Sequence, residues 1–286
     1  MTEMTEEIFH SRETSWCPGC GNFSILKTLQ SVLNGLGKPP HEILLVGGIG
    51  QAAKLPQYLN ANAFCGLHGR ALPAAVAAKI VNPKLTVIVT TGDGDSYGEG
   101  GNHFLHNIRR NVNITHFVHN NQIYGLTKGQ VSPTTDACVS MDDPHVCNRH
   151  LPFNPIAIAL AAGASFVARG FSGSMEHLAK LMKAAIVHDG YSLVDILQPC
   201  VSFNKVNTFQ YDKEHVHELD ETHDPGDKMA AMKLALQHNG KIPIGIFYRE
   251  ISPTYHQKNR VLSEGTALID QIYDENIVTT FCQKLV

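Results

Sequence analysis

Leu85-Thr86-Val87-Ile88-Val89-Thr90-Thr91-Gly92-Asp93-Gly94-Asp95 decides the fold. An apolar, β-branched run stops abruptly at glycines and carboxylates. A strand covered on both faces of a parallel sheet reads this way, whereas a strand with one wet face alternates. The pattern recurs on either side. Ile43-Leu44-Leu45-Val46 ends in Gly47-Gly48-Ile49-Gly50, and residues 114–118 end in His119-Asn120-Asn121. Residues 164–168 end in Arg169-Gly170, and 192–197 end in Gln198-Pro199-Cys200. Helical patterns over 22–34, 70–81, 100–110, 155–162 and 174–188 lie between them. Strands alternating with helices predict an α/β fold on a doubly wound, mostly parallel sheet.

From about residue 205 the character changes. Residues 212–227 are charged and His-rich, one helix is predicted over 228–237, and one strand over 242–248. We read 1–205 as an α/β domain carrying an N-terminal Cys-x-x-Cys segment. Residues 206–286 read as a C-terminal extension that packs on the core or on a partner.

Composition narrows the function classes. The 286 residues are 43 % hydrophobic and 17 % charged, enough apolar material for a core and too little charge for a disordered chain. A net charge of −3 argues against a nucleic-acid-binding polycation. No apolar run approaches the ~20 residues that span a bilayer, so no membrane is expected. Residues 1–10 carry Glu3, Glu6 and Glu7 and no apolar stretch, unlike a signal peptide. Seven cysteines without an export signal suggest a reducing, cytoplasmic setting, where thiols serve as ligands or core fillers.

Ligands of open parallel sheets bind beyond the carboxyl ends of the strands. Here those ends carry Gly92-Asp93-Gly94 and Asn120-Asn121. A diphosphate needs a divalent cation and backbone donors. Magnesium takes oxygen ligands: the Asp93 carboxylate, the Asn121 amide and the carbonyl of Ile123 supply three. Gly92 and Gly94 let the backbone approach phosphates, and a helix starting near Gly100 would aim its amides at the same place. Cys17-x-x-Cys20, read alone, fits zinc as well as iron–sulfur, although zinc would want a second pair or histidines. The spacing of His103, His106, His116 and His119 makes no metal set.

Gly-Asp-Gly paired with Asn-Asn matches the thiamine diphosphate signature, and the likeness extends further. Trp16-Cys17-Pro18-Gly19-Cys20-Gly21-Asn22, Gly48-Ile49-Gly50, residues 67–73, Gly92-Asp93-Gly94-Asp95, residues 121–130 and Gln198-Pro199-Cys200 cover about two thirds of the chain. Together they resemble the β subunit of the 2-oxoacid:ferredoxin oxidoreductases. The resemblance implies a thiamine diphosphate-binding fold and half an active site. An α subunit would supply the glutamate that activates the cofactor, so this chain alone would be inactive. Implied cofactor contacts are Gly50, His68, Gly92, Gly94, Asp95, Asn121, Tyr124, Gly125, Leu126 and Thr127. Implied catalytic residues are His68 and Lys128, and implied substrate contacts are Arg70 and Lys128.

The resemblance further implies a [4Fe-4S] cluster on Cys17, Cys20 and Cys200. Such clusters normally take four thiolates, and the family's fourth position is Gln51 here. Cys65, a non-cysteine ligand or a three-iron cluster would fill the gap. Cys138, Cys147 and Cys282 read as ordinary thiols. The implied reaction is oxidative decarboxylation of a 2-oxoacid, with coenzyme A accepting the acyl group and ferredoxin the electrons, in either direction. Lys128 favours 2-oxoglutarate, because a cation can pair with its distal carboxylate. Pyruvate or broad 2-oxoacid specificity would also fit these residues. So would a non-oxidative thiamine diphosphate decarboxylase or carboligase subunit, or a non-catalytic or zinc-binding partner on the same fold.

Overall fold

The computed structural model describes residues 8–136, 148, 150–237, 240–263, 266–272 and 275–284. Its first half runs α1 (Asn22–Asn34), β1 (Ile43–Gly47), α2 (Leu55–Tyr58), β2 (Asn62–Cys65), α3 (Ala71–Val81), β3 (Thr86–Gly92), α4 (Gly101–Arg110), β4 (Ile114–Asn120), β5 (Ile123–Tyr124) and β6 (Gln130–Val131). The second half runs α5 (Pro155–Ala161), β7 (Phe166–Phe171), α6 (Met175–Val187), β8 (Tyr191–Leu197), α7 (Phe209–His215), β9 (Val216–Glu218), α8 (Lys228–Ala235) and β10 (Ile242–Arg249), with short helices beyond. Eight strands form one sheet in the order β2-β1-β3-β4-β8-β7-β10-β9, and β5 and β6 form a separate hairpin. Within the large sheet, among the described residues, the β10–β7 pairing alone is antiparallel.

The apolar runs become strands because both faces are covered. Along β3, Val87 and Val89 pack with α3, α4, α5 and α8 on one side, while Ile88 packs with α1 and α6 on the other. All seven residues of central strand β4 are buried, as are all seven of β8. On the second face Ile25, Leu29 and Leu33 of α1 meet Leu178, Leu181 and Met182 of α6. Each such side chain contributes about 1.5–3 kcal/mol on burial. Among the described residues, no helix is long and apolar enough to cross a membrane.

Strand order places the site. The chain leaves β1 toward β2 on one side and leaves β3 toward β4 on the other, so the loops after β1 and β3 diverge. This is the topological switch point, where open α/β sheets leave a crevice.

The structure departs from the sequence reading at this crevice. The helix expected from Gly100 is preceded by a π-helical turn over Gly94–Glu99 that joins α4. The helical N-terminus therefore lies at Asp93 and Gly94, against the crevice, rather than near Gly100. Gly100 is needed by the wide turn, because a Cβ there would sit 2.6 Å from the Asp95 carbonyl oxygen. Strand β10 extends the sheet past residue 205, and β9 closes that edge.

Candidate active site

Three loops close around the crevice: 48–52 after β1, the Gly92–Asp95 turn after β3, and 121–127 after β4. They line one solvent-open cavity. Two glycines are required by close approach. A Cβ on Gly94 would run into the Tyr124 ring, and one on Gly48 into the Asp95 carboxylate.

Asp93 is 1 % exposed. Its Oδ2 accepts from Ser132 Oγ at 2.5 Å and Thr134 Oγ1 at 2.6 Å. With Oδ2 holding two hydroxyls, Oδ1 is the oxygen left for a cation. Burial pushes the carboxyl up to about 6, against the hydroxyls that hold it down. Asn121 Oδ1 accepts from the Ile123 amide at 3.0 Å, which fixes the loop and leaves a second lone pair. Gln122 bends the chain between them at φ 58. A carboxylate, an amide oxygen and a carbonyl on facing loops form the hard-oxygen set that magnesium prefers.

Asp95 ties the walls together. Its Oδ1 accepts from the Gly69 amide at 2.7 Å and the Ile49 amide at 3.2 Å, while Oδ2 is buried without a partner. Burial raises this carboxyl too, to about 6. Underneath, Asp195 accepts from Tyr97 at 2.9 Å and from Asn120 at 3.2 Å, with the Arg169 guanidinium 3.7 Å away. Asn120 Oδ1 lies 2.9 Å from Thr134 Oγ1, whose single proton goes to the nearer Asp93 Oδ2, so this buried network abuts the Asp93 clasp. Burial holds His116 and His119 neutral, each lowered to about 3.

The cysteine segment lies against the same region. The Trp16 indole donates to the Gln51 carbonyl at 2.8 Å, so residue 51 abuts the Cys17–Cys20 segment. The Gln51 side-chain oxygen is buried without a partner. Burial raises the Cys20 thiol, and the neighbouring Cys200 and Cys17 raise it further. Cys65 ends edge strand β2 opposite Gly47, and its sulfur accepts from Gln57 at 3.5 Å. Among the described residues, no group of three or more His, Cys, Asp or Glu side chains is arranged to hold a metal ion. Cys138 and Cys147 lie outside the described residues, and Cys282 is exposed.

Comparison with known proteins gives this geometry a family. The family described as "Thiamine pyrophosphate enzyme, C-terminal TPP binding domain" matches residues 48–196, and the family of the C-terminal part of the pyruvate ferredoxin oxidoreductase β chain matches 200–264. The 2-oxoacid:ferredoxin oxidoreductase subunit beta of Saccharolobus solfataricus is 43 % identical over 257 residues, 85 % of this chain and 84 % of the relative. The chain belongs to the β subunits of the 2-oxoacid:ferredoxin oxidoreductases. The 2-oxoglutarate synthase subunit KorB of Archaeoglobus fulgidus is 33 % identical, over 86 % of this β subunit and 88 % of the relative. A solved 2-oxoglutarate:ferredoxin oxidoreductase from Magnetococcus marinus, with 2-oxoglutarate, coenzyme A and succinyl-CoA bound, superposes with a TM-score of 0.88. It is 35 % identical, over 95 % of this β subunit and 94 % of that chain.

The β subunit places all ten cofactor residues named from sequence, together with Asp93 and Ile123, on the wall of one cavity. His68 lies on that wall beside Asp95, whose charge it stabilises. Arg70 and Lys128 do not line the cavity. Arg70 is turned to the carbonyls of Gly69 and Glu99, both at 3.3 Å. Lys128 is exposed on the loop beyond Thr127, in a left-handed conformation at φ 78. Sequence reading missed Ser132 and Thr134, whose short polar side chains carry no periodic signal. It also missed Glu99 and His119 as residues of the wall.

Proposed function

We propose that this β subunit, together with an α subunit, performs coenzyme A-dependent oxidative decarboxylation of 2-oxoglutarate with ferredoxin as electron acceptor. In this reading magnesium and thiamine diphosphate occupy the switch-point cavity. The observation that carries it is the donor set of Asp93, Asn121 and the Ile123 carbonyl beside the helical N-terminus at Gly94. When bound, thiamine diphosphate supplies the carbanion that attacks a keto carbon and the sink for the electrons left by carbon dioxide.

The remaining work falls to this chain's own residues. Asp93 Oδ1, Asn121 Oδ1 and the Ile123 carbonyl would hold the cation, and the amides around Gly94 would face the diphosphate. Asp95 keeps the 48–50 and 68–69 loops in register through its two amide contacts. Lys128, exposed just beyond the Leu126–Thr127 wall, would meet the distal carboxylate of 2-oxoglutarate, and the KorB relatives support that choice over pyruvate. Cys17, Cys20 and Cys200 would supply three thiolates to an iron–sulfur cluster, and Cys65 or a non-cysteine ligand such as the partnerless Gln51 oxygen would be the fourth. Residues 206–286 are read as an extension, supported by β10 pairing with β7 at one end of the sheet.

The test is ferredoxin reduction by the anaerobically purified αβ complex. Reduction that requires 2-oxoglutarate, coenzyme A and thiamine diphosphate together is expected. Carbon dioxide release with no ferredoxin reduction would replace this reading by the non-oxidative one.

A further inference from the structure

Two loops bring three thiols and one side-chain oxygen together around the cysteine segment. Trp16 packs edge-on against Phe23 and Tyr58, with ring centroids 5.6 and 4.8 Å away, and its indole donates to the Gln51 carbonyl at 2.8 Å. Residue 51 is therefore pinned beside Trp16 and the adjoining Cys17. The Gln198 amide reaches the Cys20 sulfur at 3.5 Å, and a Cβ on Gly19 would meet Val201 at 3.9 Å, so the 17–20 turn rests on the segment that carries Cys200. Gln51 borders the cofactor cavity, yet its Oε1 is closed to solvent and has no hydrogen-bond partner among the described residues. That oxygen is turned away from the open cavity. A buried acceptor without a donor is uncommon and calls for a partner.

Cys65 stands apart from this group. It closes strand β2, pinned in register beside Gly47, whereas Cys200 follows the end of β8 by three residues. In the sheet order β2 lies four strand spacings from β8, about 19 Å at the usual separation. Among the described residues the Cys65 sulfur has its hydrogen bond from Gln57, on the far side from the other thiols. Irons of a cluster are normally held by thiolates, which are soft and negatively charged, whereas a carboxamide oxygen is hard and neutral. An iron held by that oxygen is bound more weakly than irons held by thiolates.

We propose that the iron–sulfur cluster of this β subunit has one exchangeable iron, held by Gln51 Oε1, while Cys17, Cys20 and Cys200 hold the other three. The inference rests on the iron–sulfur reading given under the proposed function. A one-electron oxidant such as ferricyanide takes one electron from the [4Fe-4S]²⁺ cluster and becomes ferrocyanide. The bonds from the fourth iron to Gln51 Oε1 and to its sulfides then break, ferrous iron leaves, and a [3Fe-4S]⁺ cluster keeps all the sulfide. One electron and one ferrous ion reverse the step. Oxidant and iron supply thereby decide whether the electron exit of the subunit is complete.

The experiment uses the αβ complex, purified anaerobically. Iron analysis, electron paramagnetic resonance and Mössbauer spectra are read before and after one equivalent of ferricyanide. The wild-type complex should release one iron per cluster and gain the near-isotropic signal of an oxidised three-iron cluster. Ferrous ⁵⁷Fe with dithionite should erase that signal and enter a single site. Gln51→Cys should keep its iron under the same oxidation. Gln51→Ala, which removes the oxygen, should carry the three-iron signal as purified, and Cys65→Ser should behave as wild type. A wild-type complex that keeps all its iron overturns the proposal. So does a Gln51→Ala complex indistinguishable from wild type, or a Gln51→Cys complex that loses iron as readily. A Cys65→Ser complex that sheds iron when wild type does not assigns the fourth ligand to Cys65. If one Gln51 variant fails to assemble, the other decides. A complex without iron and sulfide refutes the iron–sulfur reading itself, and the exchangeable iron with it.

Discussion

Asp93→Asn should make the cofactor-free chain more stable while abolishing its response to magnesium and thiamine diphosphate. Burial lifts the Asp93 carboxyl from 3.8 to about 6. One pKa unit is worth about 1.4 kcal/mol, so the ionised form costs the folded chain about 3 kcal/mol at neutral pH. The folded pKa lies above the unfolded one, so the folded chain binds the proton more tightly. The penalty is absent at pH values well below 4, grows as pH rises from there to 6, and is complete above 6. An asparagine carries no charge, and its amide oxygen still accepts from Ser132 and Thr134. Those bonds lose their ionic partner, at a cost of about 1 kcal/mol. The net gain is about 2 kcal/mol, on the order of 4 °C in melting temperature for a chain of this size. Scanning calorimetry in chelator at pH 7.5 should show it, and at pH 5 the underlying penalty should fall to about half. Saturating ligand at a hundredfold its Kd should then stabilise wild type by about 2.7 kcal/mol and the variant by nothing. A variant less stable than wild type in chelator, or one with an undiminished ligand response, refutes the reasoning.

Thr134→Val removes the hydroxyl 2.6 Å from Asp93 Oδ2 at nearly constant volume. It should cost about 2 kcal/mol in chemical denaturation, and a loss below about 0.5 kcal/mol would show that the clasp is incidental. Lys128→Ala should raise the KM of the αβ complex for 2-oxoglutarate on the order of tenfold while leaving pyruvate kinetics nearly unchanged. Equal losses on both substrates would mean that the lysine does not read the distal carboxylate. Gln51→Cys should raise iron and sulfide content and slow cluster loss in air, because a fourth thiolate closes the ligand set. Unchanged iron content would place the fourth ligand elsewhere.

Much of this architecture is legible in the sequence, because strands buried on both faces announce themselves. Residues 43–46, 85–89, 114–118 and 192–197 coincide with strands β1, β3, β4 and β8 to within a residue at each start, and their polar ends form the cavity. Edge strand β2 is exposed at every position and carries polar, aromatic and thiol side chains, so no apolar run betrays it. The π-helical turn needs Gly100 for close backbone approach, and a glycine there suits a loop equally well. Asp93, Asn121 and Ile123 could be named because a diphosphate site demands their chemistry. Ser132 and Thr134 could not, since they act through a fold-back of the 130–135 segment that brings hydroxyls onto a carboxylate 39 and 41 residues upstream. The His119–Asn22 contact spans 97 residues and joins two motifs that read as independent.

The most direct test of the cavity assignment is crystallographic. The αβ complex would be grown with thiamine diphosphate and with manganese in place of magnesium, and its anomalous signal mapped. The account predicts one manganese peak within coordination distance of Asp93 Oδ1, Asn121 Oδ1 and the Ile123 carbonyl, with diphosphate density against Gly94. A manganese peak away from Asp93, or diphosphate density outside this cavity, would contradict it.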